Sequence, residues 1–259
     1  MPGKKRQDRI ERIIEILLSN RGATIKELAS TLEVSEMTIR RDLEVLEEDG
    51  RIRLVHAGAI PAAELTDVQA GLSLPRDSEY QQQVKARVGE KAASLVEAGD
   101  VIIIDSGSTA EWLARSLPPD MPLTVLCFAL NILVHASRGR HRSVVLAGGA
   151  LQPNTLVFES PEAVAMVRRH RATKAFLSAG GVSESLGVTC LDPDEAELKK
   201  AAMASSQSKI LLVDSSKFGK VTPSWFADLK EFDAIVTDNG ISLEYVEIVR
   251  QLGITLHVV

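Results

Sequence analysis

The feature that most constrains the fold is an alternation of short apolar runs with helical patterns across residues 76–259. The apolar runs have the length of strands, and their nearly continuous apolar character is typical of strands buried on both faces. Helices must cover both sides of such a sheet, so the pattern predicts a mostly parallel α/β domain. The predicted strands are 101–105, 123–128, 143–147, 174–178, 209–214, 234–237 and 255–259, and the predicted helices are 110–117, 130–137, 161–171, 194–206 and 242–252.

A second strong pattern lies near the N-terminus, where residues 35–50 read SEMTIRRDLEVLEEDG. Ser35 is a favourable N-cap, and Gly50 is a typical residue after a helix C-terminus. Ile39, Leu43 and Leu46 are spaced i, i+4 and i+7, so they form one apolar face. The stretch therefore predicts an amphipathic helix.

The surroundings of this helix predict a winged helix-turn-helix over residues 1–58. A capping box at 24–27 opens a short helix, and a tight turn at 33–34 joins it to the helix at 35–50. Residues 51–59 then alternate basic and apolar side chains and turn at glycine, which is typical of a β-wing. An ordinary surface helix would explain residues 35–50 but not the arrangement around them. The predicted DNA contacts are Ser35, Met37, Thr38, Arg40, Arg41, Arg53 and His56.

Charge and composition limit the class of protein. The net charge is −5, and residues 1–57 carry equal numbers of basic and acidic side chains, which argues against a protein that coats nucleic acid. A local basic face is still sufficient for site-specific binding to double-stranded DNA. No run reaches the ~18 apolar residues of a membrane span, and the start lacks the apolar core of a signal peptide. Because Cys127 and Cys190 suggest no disulfide framework, we expect a cytoplasmic protein with no membrane partner.

Four polar or glycine-rich turns follow predicted strands. Because the carboxyl ends of parallel strands meet at one edge of a sheet, these turns should lie together. Their main-chain N–H groups and hydroxyls, with a lysine beside them, can bind a phosphate. The alternative is that the turns are structural, since glycine turns after strands are common. The residues predicted for the phosphate site are Asp105, Ser106, Gly107, Ser108, Thr109, Gly148, Gly149, Gly180, Gly181 and Lys217.

Several of these motifs resemble one family of proteins. The stretch VSEMTIRRDLEVLEEDGRI at 34–52 resembles the N-terminal signature of the DeoR family of bacterial repressors. The motifs at 105–109, 178–181 and 213–220 resemble the effector domain of that family, a relative of ribose-5-phosphate isomerase. The resemblance implies a phosphorylated sugar that releases the repressor from its operator, and it adds Lys199 to the predicted effector site.

Departures from the usual family pattern have further implications. Ala57 stands where the family usually has the first glycine of the wing turn, so a different wing tip is expected. Cys127-Phe128 and the stretches 187–190 and 217–223 are similar to the family members that respond to deoxyribose 5-phosphate. The resemblance therefore implies deoxyribose 5-phosphate as effector. The alternative is a regulator that responds to another sugar phosphate.

An enzyme is the main rival class, because the predicted fold resembles that of an isomerase. Asp192, Glu195 and Lys199 are available acid–base groups, but the chain lacks the Asp-Gly-Ala-Asp-Glu and Lys-Gly-Gly-Gly motifs of the isomerase. We therefore expect no catalytic residues and no cofactor, and scattered histidines argue against a metal site. A homo-oligomer, at least a dimer, is expected because a helix-turn-helix usually reads two half-sites. The expected regions are a DNA-binding domain (1–58), a linker (59–75) and an effector-binding domain (76–259).

Overall fold

The computed structural model describes residues 2–20, 22–62 and 79–259. Three helices and a small sheet form the N-terminal unit. In chain order they are α1 (Pro2–Asn20), β1 (Ala23–Thr24), α2 (Ile25–Thr31), α3 (Glu36–Glu48), β2 (Ile52–Val55) and β3 (Gly58–Pro61). Two short helices joined by a turn and followed by a hairpin confirm the predicted winged helix-turn-helix.

Local hydrogen bonds explain where α2 and α3 begin. The Thr24 hydroxyl accepts a hydrogen bond from the Glu27 N–H at 3.1 Å, and the Glu27 carboxylate accepts one from the Thr24 N–H at 2.7 Å. The Ser35 hydroxyl accepts from the Thr38 N–H at 3.2 Å. These contacts satisfy N–H groups that have no partner inside the helix, so the predicted capping box and N-cap are confirmed.

The three helices share one apolar core. The predicted apolar face of α3 is fully buried, and it packs on side chains from α1 and α2. Burial of each large aliphatic side chain stabilises the unit by roughly 1.5–3 kcal/mol. The fully buried large side chains of this core are Ile13, Leu17, Leu28, Ile39, Leu43 and Leu46.

The wing is longer than predicted. Strands β2 and β3 pair antiparallel, and β3 also pairs with β1. Because β3 needs all of Gly58–Pro61 to pair with β2, the wing passes the predicted boundary at residue 58. Most of the predicted linker, residues 63–75, lies outside the described residues. At the wing tip Ala57 has a φ of 64°, a left-handed conformation that glycine adopts more easily.

Residues 79–259 form a larger α/β unit. Its helices are α4 (Glu79–Ala93), α5 (Ser108–Ser116), α6 (Leu130–Ala136), α7 (Pro161–Arg169), α8 (Pro193–Ala204) and α9 (Leu243–Gln251). Its strands are β4 (Val101–Ile104), β5 (Leu123–Cys127), β6 (Arg142–Leu146), β7 (Ala150–Leu151), β8 (Phe158–Glu159), β9 (Ala172–Ser178), β10 (Gly181–Ser183), β11 (Gly187–Cys190), β12 (Ser206–Leu212), β13 (Ser224–Ala227), β14 (Ala234–Thr237) and β15 (Thr255–Val258). In the described part of the chain, no helix is both long and apolar enough to cross a bilayer.

Seven of these strands form one parallel sheet, as predicted. Their order is β15-β14-β12-β9-β4-β5-β6, and every neighbouring pair is parallel. From β4 the chain proceeds to β5 and β6 on one side, whereas β9, β12, β14 and β15 lie on the other side. The strand order therefore reverses between β4 and β9. In open α/β sheets, ligands bind outside the carboxyl ends of the strands at such a point.

The sequence patterns do not predict α4 or the small antiparallel sheets. Helix α4 is mostly polar, and it buries Val84, Val88 and Ala92. Gly89 lets it approach α5 closely, because an added Cβ would lie 2.4 Å from the Cβ of Trp112. The small sheets, β10-β11-β13 and β7-β8, consist of strands of two to four residues, which are too short to give a recognisable alternation.

Candidate functional site

One face of the N-terminal half of α3 is exposed to solvent. Arg40 and Arg41 are both exposed, and Met37 keeps 58% of its surface accessible. The hydroxyls of Ser35 and Thr38 lie 2.9 Å apart and take part in the N-cap, so these two predicted DNA contacts also have a structural role. We call Met37, Arg40, Arg41 and the exposed Arg53 of the wing the basic surface.

Two other arginines hold the helices of this unit together. Asp42 on α3 is only 2% exposed. It accepts hydrogen bonds from Nε of Arg9 at 2.6 Å and from Nε of Arg6 at 3.1 Å. These ion pairs fix α1 against α3, and the single negative charge of Asp42 offsets one of the two positive charges. Arg40 and Arg41 are the basic side chains of α3 itself.

The wing also contacts the α/β unit. The His56 ring stacks on the Trp225 ring with centroids 4.3 Å apart and an interplanar angle of 19°. Beside this stack, Ile60 of β3 packs with Leu186 and Val221, and all three are buried. We call Ile60, Leu186 and Val221 the interdomain cluster. His56 thus has one ring face against the α/β unit, and its predicted DNA contact stays a prediction.

All four predicted turns lie at the carboxyl edge of the seven-stranded sheet. The turns 105–109, 178–181 and 214–219 follow or end β4, β9 and β12, which are adjacent strands. The turn at 148–149 follows β6, two strands away from β4. The first three turns therefore surround the point where the strand order reverses.

A buried ion cluster lies at this point. Nζ of Lys199 forms an ion pair with Oδ2 of Asp105, lies 3.0 Å from Oε1 of Glu195, and donates a hydrogen bond to the Ser178 carbonyl at 3.1 Å. The N–H and hydroxyl of Ser178 donate to Asp105 Oδ2 at 2.7 and 2.9 Å. The Ser106 hydroxyl donates to Glu195 Oε1 at 2.8 Å. We call Asp105, Glu195 and Lys199 the buried triad.

The charges of the buried triad determine its role. Burial acts to lower the pKa of Lys199, but attraction to Asp105 and Glu195 outweighs burial, so the pKa is raised above its ordinary value. With both carboxylates ionised, the triad carries one net negative charge. Because Asp105 and Lys199 are fully buried and paired, their side chains hold the turn at 105–109 in place. Direct contact of either residue with an effector stays a prediction.

Close packing accounts for three of the predicted glycines. An added Cβ at Gly149 would lie 2.3 Å from the Glu159 carbonyl oxygen, and one at Gly181 would lie 2.4 Å from the Lys220 carbonyl oxygen. At Gly180 the nearest side-chain atom would be 2.9 Å away. These glycines let backbone segments approach one another, so they support the structural alternative at those two turns.

The turn after β4 offers unpaired hydrogen-bond donors. Gly107, with a φ of 93°, is the N-cap of α5, and no side chain of the described residues caps this helix. The N–H groups of Ser108 and Thr109 therefore lack helical partners.

Gly148 has no described atom within 4 Å of an added Cβ. Lys217 is half-buried in a 3₁₀ turn after β12.

The turn patterns alone do not predict Ser178 and Glu195 as parts of this site. Ser178 ends β9 and reaches the turn that follows the neighbouring strand β4. Glu195 lies one helical turn before Lys199 on α8. The Glu195–Lys199 spacing is the sequence signal for this contact, since residues at i and i+4 face the same side of a helix.

Both cysteines are buried inside the α/β unit. Burial raises the pKa of the Cys127 thiol to about 12, and burial also raises the pKa of the Cys190 thiol. Because the thiolate is the reactive form, both cysteines are unreactive near neutral pH.

Two family descriptions match this chain. The DeoR-like helix-turn-helix domain matches residues 9–64, and the DeoR C terminal sensor domain matches residues 80–239. The chain belongs to the DeoR family, and it is a DNA-binding transcriptional repressor with a sensor domain.

Similar proteins agree over nearly the whole length. The deoxyribose operon repressor of Escherichia coli K12 is 32% identical over 252 residues, which cover 97% of this chain and 98% of that protein. The HTH-type transcriptional regulator IolR of Bacillus subtilis is 30% identical over 96% of this chain and 98% of that protein. The transcriptional repressor AccR of Agrobacterium fabrum is 29% identical over 90% of both. These relatives are named regulators and repressors, which confirms the prediction that the chain is not an enzyme.

Among solved structures, a probable sor operon regulator from Shigella flexneri aligns with a TM-score of 0.42 and 12% identity, covering 68% of this chain and 95% of that chain. Ribose 5-phosphate isomerase A from Methanocaldococcus jannaschii aligns with a TM-score of 0.38 and 20% identity, covering 52% and 53%. At these scores neither likeness carries an argument about function.

Proposed function

We propose that this repressor controls a sugar or nucleoside catabolic operon and that a phosphorylated sugar releases it from its operator. The observation that carries the proposal is the position of the turn at 105–109. This turn lies where the strand order of the seven-stranded sheet reverses, and the buried triad holds it in place. Deoxyribose 5-phosphate is the first candidate effector, because a relative 32% identical is named a deoxyribose operon repressor. A thermal-shift screen against several sugar phosphates tests this choice, since a ligand of the folded state raises its stability.

The proposed phosphate site combines backbone donors with a lysine. The N–H groups of Ser108 and Thr109 at the start of α5 suit a phosphate, because they are unpaired and the helix dipole is positive there. The buried triad, with its net negative charge, cannot neutralise a phosphate dianion. We therefore assign that task to Lys217, at the same edge of the sheet.

Replacing Lys217 with alanine should weaken effector binding about ten- to hundredfold. A charge-assisted hydrogen bond to phosphate contributes roughly 1.5–3 kcal/mol, which corresponds to that change in Kd. Calorimetric titration with deoxyribose 5-phosphate measures the change. Lys230→Ala, which removes an exposed lysine from another 3₁₀ turn of the same unit, is the matched control. An unchanged Kd in Lys217→Ala, or equal binding of unphosphorylated deoxyribose to the wild type, would contradict the placement of the phosphate.

Residues close in sequence to the proposed site contact the wing directly or through Trp225. Val221 of the interdomain cluster lies four residues after Lys217. Lys200, the residue after Lys199, lies over the Trp225 ring with its Nζ 5.3 Å from the ring centroid. The Trp225 ring in turn stacks on His56. We therefore propose that effector binding changes the contact between the wing and the α/β unit, and that this change lowers operator affinity.

Replacing Trp225 with alanine should reduce the effect of effector on operator affinity. The affinity for operator alone and the affinity for effector alone should change less. Without the indole ring the His56 stack is lost, so the factor by which effector weakens operator binding should fall toward one. The ratio of operator Kd values with and without saturating effector measures this factor. Trp112→Ala removes a tryptophan that contacts Arg115 within the α/β unit, and it should keep the wild-type ratio. If Trp225→Ala keeps the wild-type ratio of operator Kd values, the stack of His56 on Trp225 does not take part in the coupling.

A further inference from the structure

Three carboxylates outside the buried triad converge at the start of α8. Asp192 is the N-cap of α8, and its Oδ1 accepts a hydrogen bond from the Asp194 N–H at 2.8 Å. Glu159 is the last residue of β8. One carboxylate oxygen from each of the three residues lies within 4.8 Å of the other two. We call Glu159, Asp192 and Asp194 the acidic cluster.

Glu159 is the deepest member of the cluster, with 9% of its surface exposed. Its Oε2 accepts a hydrogen bond from Nε2 of Gln152 at 2.8 Å. Its Oε1 is buried and has no hydrogen-bond partner among the described residues. A buried polar atom without a partner costs free energy, so the unpaired oxygen of this buried carboxylate indicates a missing positive ligand.

The charges of the acidic cluster also favour a cation. Three carboxylates that lie this close together repel one another when they are ionised. A bound cation would remove this repulsion.

We propose that the acidic cluster binds one hard divalent cation, such as Ca²⁺, Mn²⁺ or Mg²⁺. Oxygen ligands alone are the donor set that these ions prefer. The separation of up to 4.8 Å fits a single ion, because two ligands on opposite sides of Ca²⁺ lie roughly 4.6–5.2 Å apart. Asp194 is exposed, so the ion enters from solvent and water completes its coordination. The sequence prediction of no metal site rested on the scattered histidines, and histidine spacing does not detect such a carboxylate site.

The cation has a further consequence that rests on the proposed function. Asp194 directly precedes Glu195 of the buried triad, and Glu159 interacts electrostatically with Glu195. A cation at the acidic cluster would therefore offset negative charge near the proposed sugar-phosphate site, and it should strengthen effector binding. The cation site itself does not depend on that role.

The direct test is a titration of the EDTA-treated full-length protein with Ca²⁺, Mn²⁺ and Mg²⁺, without DNA or sugar phosphate. Calorimetry should show saturable binding of one ion per chain, and Mn²⁺ should also show it by electron paramagnetic resonance. At ten times Kd the ion should raise Tm by about 3–6 °C. Glu159→Gln should weaken binding at least about tenfold, because it removes one charged ligand. In EDTA, Glu159→Gln should also have a higher Tm than the wild type, because repulsion in the cluster is reduced.

Glu162→Gln is the matched control, since Glu162 is an exposed acid three residues from Glu159 in the first turn of α7. It should bind the ions as the wild type does. Absence of saturable binding up to about 10 mM for all three ions would overturn the proposal, because even weak protein sites for Ca²⁺ saturate below that concentration. An unchanged Kd in Glu159→Gln would overturn it as well. A carboxylic-acid stretch assigned to Glu159 by infrared difference spectroscopy at neutral pH, with metal present, would show a proton instead of an ion.

Discussion

Replacing both Arg40 and Arg41 with alanine should greatly weaken operator binding while the protein stays folded. Both side chains are exposed on α3, and neither belongs to the apolar core or to the N-cap. If each arginine makes a contact of roughly 1–3 kcal/mol, Kd should rise about thirtyfold to twenty-thousandfold. Fluorescence anisotropy with labelled operator DNA at fixed salt measures the loss, because affinity for DNA depends strongly on salt.

The matched control for this variant removes the same charge elsewhere. Arg138 and Arg140 are exposed in the α/β unit, so Arg138→Ala with Arg140→Ala should leave operator affinity close to that of the wild type. Circular dichroism and effector binding should be normal in both double variants. If the Arg40 and Arg41 double variant binds operator within about twofold of the control, α3 does not read the DNA.

Replacing Lys199 with methionine should destabilise the α/β unit by about 3–5 kcal/mol, because two buried carboxylates then lose the positive charge of the lysine. This is a large share of the roughly 5–15 kcal/mol that stabilises a folded protein. The pKa of Lys199 is raised in the folded protein, so its stabilising contribution is fully present below the ordinary lysine pKa and is lost only as pH rises through the raised value. Urea unfolding near neutral pH therefore measures the full effect.

Two further variants separate the loss of charge from the loss of packing. Lys200→Met changes the neighbouring residue, which is only partly buried and pairs with Glu197, so its effect should stay within about 0.5 kcal/mol. Asp105→Asn combined with Lys199→Met removes one uncompensated charge and should recover part of the stability. If Lys199→Met is as stable as the wild type, or if the double variant is less stable than Lys199→Met, the triad is not held by its charges.

Local signals in the sequence were sufficient to predict most of the fold. The cap at Ser35, the spacing of Ile39, Leu43 and Leu46, and the seven apolar runs depend only on neighbouring residues. A helix cap is marked by particular residue types at the helix end, and a buried face is marked by apolar residues at a fixed spacing. Both signals can be recognised in the sequence. Helix α4 was missed because its apolar face is narrow and polar residues dominate its composition.

Contacts between distant residues could not be predicted in the same way. Asp105 and Lys199 are 94 positions apart, and Arg6 and Asp42 are 36 positions apart. No local period specifies that such side chains meet, since the sheet order and helix packing bring them together. The contact of His56 with Trp225 likewise depends on how the wing meets the α/β unit. The turns at the carboxyl edge were predictable, whereas the partners that hold them were not.

We propose that one chain binds operator DNA and a sugar phosphate, and that each weakens binding of the other. This coupling is tested by the Kd of the protein for operator DNA, selected in vitro with the same protein, with and without saturating deoxyribose 5-phosphate. We expect effector to weaken operator binding about 5- to 150-fold, and operator DNA to weaken effector binding by the same factor. A sugar phosphate that binds the protein but leaves operator affinity unchanged, or tightens it, would show that it does not release the repressor from its operator.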